Sequence, residues 1–242
     1  MRLFVLPLVA GLLAGTLPAL AQTQAQSSAA ALAEPSATLS RCAGKVGTDL
    51  RKGDPAFATI ALDGEPWMTV DRTEEKVGDR MIATTVTGIG SMRRKDGTSV
   101  PLRFTCLLDD KGQAAMVHVG PLLRTLGDAL PPAFVVEGAA SYLERQALPR
   151  GVELQVRLLD VSKQPAQVLA EQVVRSGWQV PIPFSLRVPK ETPLEGRKLL
   201  ITARFVMARQ ELFALAEERI LTPADLNKYV ILTLDRVPGA KP

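Results

Sequence analysis

The chain has 242 residues, and its 29 basic against 25 acidic side chains give a net charge of +4. Because this basic excess is small, a nucleic-acid partner is not predicted. The single histidine and two cysteines leave few side chains for catalysis or metal binding, and no cofactor is predicted.

Residues 1–21 are predicted to be a signal peptide. A positive charge at Arg2 precedes an apolar run, and Ala19-Leu20-Ala21 provides the small-x-small cleavage pattern before Gln22. A membrane anchor is disfavoured because the run is short, contains prolines and leads into a polar stretch. A lipoprotein would carry a cysteine at the cleavage site, where Gln22 stands. The mature chain is therefore predicted to be soluble, periplasmic or secreted, and without a transmembrane segment.

Residues 22–38 are rich in Ala, Ser and Gln, which predicts a flexible linker.

The two cysteines, Cys42 and Cys106, are predicted to form a disulfide, since an even count is typical of chains exported to an oxidising compartment. The alternative is a nucleophilic Cys106 with His118 as its base. No acidic residue is placed to orient His118, so the disulfide is favoured.

Residues 39–119 are predicted to form a small antiparallel sheet stapled by that disulfide. A brief helical or irregular segment at 42–50 precedes short strands separated by tight turns, and Asp96-Gly97 is a strong hairpin signal. The neighbouring Arg93-Arg94-Lys95 cluster is explained by a solvated hairpin tip, with binding to phosphate or lipid A as the alternative.

Residues 120–133, which contain Pro131-Pro132 near their end, are predicted to be a hinge. Residues 134–237 then carry seven segments with strand character, the number and spacing of a β-sandwich, and residues 238–242 form a tail. One of the seven, ELFALAE, has a helical composition but is assigned as a strand because a hairpin partner follows. The predicted fold class is all-β.

The segment WQVPIPFSLRV is predicted to be an edge strand. Trp178 and Phe184 fall on its buried face, whereas Pro181 and Pro183 fall on the outer face and cannot donate N–H groups to a neighbouring strand. The prolines either protect the edge from aggregation or mark an edge, around Trp178, Pro181 and Pro183, that accepts a partner.

Several of these motifs resemble the YbaY/YscW-type envelope proteins. The similarity covers roughly residues 138–234 and begins with a Leu-Pro-x-Gly turn, continues with a strand ending in Leu-x-Asp-Val-Ser, and includes the Val-Pro-Ile-Pro-Phe and Ala-Arg strands. The matching positions include Leu148, Pro149, Gly151, Asp160, Ser162, Pro181, Pro183, Phe184 and Arg204.

This resemblance implies a β-sandwich in the Gram-negative envelope. Some members of the family are pilotins, lipoproteins that escort the ring-forming secretin of a type III secretion system. The chain departs from them in lacking a cysteine for lipidation and in carrying an additional disulfide-bearing region. Asp160 and Arg204 are its polar motif residues, and both are explained by structural roles, Asp160 by ordering a turn through Ser162 and Arg204 by packing its stem on the sheet.

No sequence motif of a known catalytic class is present, so an enzyme is not predicted. The favoured hypothesis is a non-enzymatic binding or assembly module for an envelope or outer-membrane protein. The alternatives are a periplasmic lipid- or glycan-binding protein and, less favoured, an envelope hydrolase.

Overall fold

The computed structural model describes residues 34–122, 128–175 and 180–240. The predicted signal peptide, residues 22–33 of the predicted linker, Trp178 and the last two residues of the predicted tail lie outside these ranges. The elements are helix α1 (Glu34–Gly53), strands β1 (Phe57–Asp63), β2 (Thr69–Val77), β3 (Arg80–Arg94), β4 (Ser99–Asp109), β5 (Ala114–Pro121), β6 (Ala133–Tyr142), β7 (Glu153–Asp160), β8 (Gln167–Arg175), β9 (Ile182–Pro189), β10 (Leu199–Met207), β11 (Gln210–Ala214) and β12 (Arg219–Leu221), a 3-10 helix (Pro223–Asn227) and β13 (Val230–Arg236).

The described chain is built almost entirely of strands, which confirms the all-β fold class. Besides the short 3-10 helix, the exception is α1, which is longer than the brief segment predicted at 42–50. The prediction that the flexible linker extends to residue 38 is wrong, because α1 begins at Glu34. Its buried residues Leu39, Cys42, Ala43 and Val46 follow the spacing of one helical face and pack on the first sheet.

No helix in the described ranges is both long and apolar enough to cross a membrane.

A disulfide between Cys42 on α1 and Cys106 on β4 confirms the predicted pairing and leaves no thiol for the alternative nucleophile. Both cysteines are fully buried among Leu39, Ile60 and Phe104, whereas His118 is exposed on β5. The predicted turn at residues 96–97 joins β3 to β4, and a second turn at residues 109–112 joins β4 to β5. The basic residues beside the first of these turns are exposed, and Arg94 lies 3.8 Å from Asp54.

In the second half, each of the seven predicted segments contains a strand, including ELFALAE, which forms β11. The short β12, which pairs with β10, was not predicted. The strands enclose one apolar core to which all of them contribute, with Val156, Phe184, Ile201, Phe205 and Leu232 among its buried members.

The strand order runs β5-β4-β3-β1-β8-β7-β10-β11-β13-β6-β9, with β2 on β3 and β12 on β10. Strand β1 pairs with β8 from Ile60–Arg175 to Asp63–Gln172, so one ladder connects the region before residue 120 with the region after 133. The first two residues of the predicted hinge belong to β5 and the last to β6. The division into two domains stays a prediction, and the two halves share a backbone ladder.

Strand β9 ends the strand order, as expected for an edge strand. It begins at Ile182, so the prediction that places Pro181 within the strand is wrong. Pro181, which has no N–H to give to a ladder, lies in an exposed bend before β9.

Candidate functional site

A groove of about 520 Å³ lies between α1 and the outer face of β7, β8, β10 and β11. We call it the arginine groove because four of its lining residues are arginines. Its lining residues are Ala37, Ser40, Arg41, Gly44, Gly151, Glu153, Gln155, Arg175, Arg204, Val206, Ala208, Arg209 and Glu211.

The alternation of β7 supplies the polar floor of this groove. Leu154 and Val156 point into the apolar core, so Glu153 and Gln155 point to the opposite face. That face is covered by α1 and by arginines of neighbouring strands, so Glu153 and Gln155 are only 5% and 6% exposed. Buried groups of this kind require hydrogen-bond partners.

Glu153 is the centre of the hydrogen-bond network on the floor. Its Oε1 accepts hydrogen bonds from Ser40 Oγ on α1 and from Gln155 Nε2, the latter at 2.8 Å. Arg175 Nη1 lies 3.4 Å from its other oxygen. Glu153 therefore fixes α1 against β7 and is already engaged within the protein.

Arg204 connects this floor to the open part of the groove. Its Nε donates to Gln155 Oε1 at 2.7 Å, while its Nη1 lies 3.9 Å from Glu211, a long distance for an ion pair. Burial, followed by repulsion from Arg157, lowers the pKa of Arg204, and Glu211, Glu171 and Glu153 oppose this effect. An anion placed in the groove would restore the stabilisation that the partly desolvated guanidinium lacks.

Arg209 stands at the mouth of the groove, in the turn between β10 and β11. Ala208 and Arg209 adopt left-handed conformations, with φ of 48° and 70°, which are rare for residues with a side chain. Arg209 is exposed and has no hydrogen-bond or ion-pair partner among the described residues. The turn thus presents a second guanidinium to the same space as Arg204.

The structure does not bring the family-motif residues together in one site. Gly151 and Arg204 line the arginine groove, and Gly151 has a φ of 93° that favours glycine. Asp160, at the far end of β7, accepts hydrogen bonds from the Ser162 backbone at 2.9 Å and from Arg197 at 2.8 Å. Ser162 Oγ in turn accepts a hydrogen bond from the backbone N–H of Lys198.

The remaining motif residues belong to the core, to turns or to strand β9. Leu148 and Phe184 are buried in the apolar core, and the Pro149 carbonyl accepts a hydrogen bond from Val152. Pro183 is paired with Ala139 in the β6–β9 ladder.

The edge of β9 around Pro183 is closed by other parts of the chain. Ser185 exchanges hydrogen bonds with the side chain of Gln172, at 2.9 Å each, and the Arg187 carbonyl accepts one from Trp67 Nε1 at 2.6 Å. Pro183, Ser185 and Arg187 are spaced two residues apart, so their backbone groups face the same side of β9. The position where Pro183 lacks an N–H therefore lies on this side too. The edge is thus already occupied at Ser185 and Arg187.

Sequence reasoning found Arg204 but missed Glu153, Gln155, Arg175 and Arg209. The alternation of Glu153, Gln155 and Arg157 with apolar residues is typical of a strand with one solvated face. Only the position of α1, which the sequence did not predict at its full length, turns that face into a groove.

Residues 131–231 match the model of the type III secretion system lipoprotein chaperone family, YscW. The match covers less than half of the chain and confirms the resemblance of its second half to YscW-type proteins.

A solved structure of an alternative pilotin from the type II secretion system of Vibrio cholerae is 28% identical over 43% of this chain and 97% of the pilotin, with a TM-score of 0.40. No curated protein sequence matches the chain significantly.

Proposed function

We propose that this protein, whose residues 131–231 are of the YscW type, is a non-enzymatic factor that assists the assembly of an outer-membrane secretin. The family match supports the proposal. The signal-peptide pattern of residues 1–21 supports a periplasmic location in the Gram-negative envelope.

The observation that carries the proposal is the arginine groove on the YscW-type half. Glu153 and Gln155 use their hydrogen-bonding groups on each other, on Ser40 and on neighbouring arginines. Arg204 and Arg209, by contrast, direct positive charge into a space that can hold several side chains. The groove therefore suits an acidic segment of the secretin, bound through charge-assisted hydrogen bonds.

Site-specific crosslinking tests whether the groove holds such a segment. A photoreactive residue replaces the exposed Ala208 at the groove, and in a control it replaces the exposed Glu195 in the β9–β10 loop. After irradiation of cells, mass spectrometry should identify a secretin subunit on the Ala208 variant only. Equal crosslinking from both positions, or crosslinking without a secretin subunit, would contradict the proposal.

A pair of charge reversals tests the role of the arginines. Arg209→Glu changes an exposed residue without a partner among the described residues, so it should leave the fold intact. We expect it to reduce secretin crosslinking about tenfold, the effect of losing a charge-assisted contact. Lys190→Glu, an exposed reversal just after β9, should leave the crosslinking unchanged.

A further inference from the structure

A second cavity, of about 540 Å³, lies between β1, β3 and β4 on one side and β6, β8 and β9 on the other. We call it the inter-sheet cleft. It shares no lining residue with the arginine groove among those that the structure describes. Its volume falls within the range of about 300–1,000 Å³ that is typical of small-molecule sites.

The floor of the cleft is a fixed polar network around Gln172. The Gln172 side chain donates from Nε2 to Asp63 Oδ1 at 2.7 Å and to the Ser185 carbonyl at 2.9 Å. Its Oε1 accepts the backbone N–H of Ser185. Because both hydrogens and the oxygen of this amide are engaged, the position of Asp63 at the floor is well defined.

Two polar atoms in the cleft lack partners among the described residues. Arg187 Nε is buried without a hydrogen bond, although its Nη2 donates to the Pro131 carbonyl at 2.5 Å. Asp63 is only 4% exposed and receives its one hydrogen bond, from Gln172, at Oδ1, which leaves Oδ2 as an acceptor. Buried donors are nearly always partnered in folded proteins, so Arg187 Nε calls for a bound group, and the accessible acceptor Asp63 Oδ2 can bind the same group.

Arg187 is held in place for such a contact. Its backbone carbonyl accepts the indole N–H of Trp67, and its guanidinium carbon lies 6.0 Å from the centre of the Trp67 ring. Asp63 and Arg187 are close enough for each to act on the other's pKa, yet they form no ion pair within 4 Å.

The chemistry of the two atoms selects the ligand class. A hydroxyl group donates one hydrogen bond and accepts others, so it can serve the carboxylate and the guanidinium together. The cleft is lined by two acidic residues, Asp63 and Glu137, and by two arginines, Arg93 and Arg187, so its charges balance and favour neither a cationic nor an anionic ligand. A single water could satisfy both atoms, but it occupies only about 30 Å³, a small part of the cleft.

The walls and rim of the cleft also suit a hydroxyl-rich ligand. Thr59, Ser91 and Ser99 contribute hydroxyl groups, and Tyr229, which is 60% exposed, contributes an aromatic ring to the lining. We propose that the inter-sheet cleft binds a neutral sugar, with one hydroxyl bridging Asp63 and Arg187.

The burial that raises the pKa of Asp63 to about 7 is consistent with this ligand class. Near neutral pH the carboxyl exists in both protonation states, and a hydroxyl can hydrogen-bond to either of them.

Saturation-transfer NMR on the full mature protein tests the proposal. The probes are glucose, galactose, mannose and N-acetylglucosamine, with glucosamine and glucuronate as charged counterparts. We expect at least one neutral sugar to bind more tightly than both charged ones. The proposal is overturned if no neutral sugar binds at millimolar concentration or if the charged sugars bind equally well.

Two variants place the binding in the cleft. Asp63→Asn, nearly identical in shape, removes the charged acceptor and should weaken binding about tenfold. Tyr229→Ala changes an exposed ring at the rim and should also weaken it. Arg209→Glu, in the arginine groove, should leave sugar binding unchanged. A failure of the sugar proposal can therefore be distinguished from a failure of the secretin proposal. Unchanged binding in both cleft variants would refute the assignment.

Discussion

Asp63 is a carboxyl group that the fold buries without a cation in contact. Desolvation raises its pKa to about 7, and the hydrogen bond from Gln172 and the charge of Arg187 oppose that effect only in part. Asp160 is also buried, and this by itself would raise its pKa. Its hydrogen bonds with Ser162 and its pairing with Arg197 nevertheless hold the pKa below its usual value. Opposite pH dependences follow for these two carboxyl groups.

Asp63 should make the protein less stable as the pH rises from about 4 to 7. In this window the folded state keeps the proton on Asp63 while the unfolded chain, with a pKa near 3.8, loses it. The penalty is complete above pH 7 and amounts to at most about 4 kcal/mol. Asp63→Asn should therefore raise the free energy of unfolding in denaturant titrations more at pH 8 than at pH 5.

Asp160→Asn is the matched control. The lowered pKa of Asp160 gives a stabilisation that is complete above its unfolded pKa and is lost only as the pH falls through the folded pKa, which lies below 4. The cost of this substitution should thus be equal at pH 5 and pH 8. Equal effects of Asp63→Asn at the two pH values would show that Asp63 titrates normally.

The sequence predicts the roles of individual residues when those roles depend only on neighbouring positions in the chain. Leu148, Gly151 and Phe184 occupy the turn and core positions that their types require, and Arg204 stands out as a motif residue. Asp63 could not be found from the sequence. It precedes a glycine at the end of a strand, a pattern typical of a solvated turn, and its burial depends on β8 and β9, which are distant in the chain.

Helix α1 contributes both to the apolar core of the first half of the chain and to the arginine groove. Its apolar face packs against β1, β5 and β8, and its polar residues Ser40 and Arg41 form one wall of the groove. The disulfide joins it to β4 across a sequence separation of 64 residues.

Replacement of both Cys42 and Cys106 by serine should lower the free energy of unfolding by about 4 kcal/mol, the loss of loop-closure entropy in the chain model. Denaturant titration of the wild type with and without reductant measures this cost. The double variant itself should not respond to reductant. Secretin crosslinking from Ala208 should also be weaker in the double variant, because α1 forms one wall of the arginine groove. A stability unchanged by reduction would contradict the prediction.

Among the elements, the hairpins were predictable because their signals are local. Asp96-Gly97 alone indicates the β3–β4 turn, and β4 alternates between buried and less buried residues from Leu102 to Asp109. The full length of α1 was missed because glycines and a polar start obscure its periodicity. Strand β12 has three residues, too few for a pattern to emerge.

The whole molecule is organised around the pairing of β1 with β8. This ladder is non-local, and no local sequence signal predicts it. It makes β8 an interior strand with β1 on one side and β7 on the other, which explains why Glu171, Gln172, Val173 and Val174 are all buried.

A segment of residues 131–242 expressed alone should be less stable than the mature chain. It would lose β1 and α1, leaving the β8 edge and the buried charges beside it exposed to water. We expect a lower melting temperature, faster amide hydrogen exchange in β8, and self-association detectable by light scattering. Identical melting and exchange in the segment and the full mature chain would show that the two halves are energetically independent.

The bridge between Gln172 and Ser185 bears on the order of folding. From β9 through β6, β13, β11, β10 and β7 to β8, neighbours are joined by backbone ladders, and this amide connects the two ends of the series. Its two residues are separated by only 13 positions, whereas the parallel pairing of β6 with β13 joins the beginning of the second half of the chain to its end. Closing a short loop costs less chain entropy than closing a long one. The bridge should therefore form early, and the docking of β13 beside β6 should be the late step that completes the enclosure.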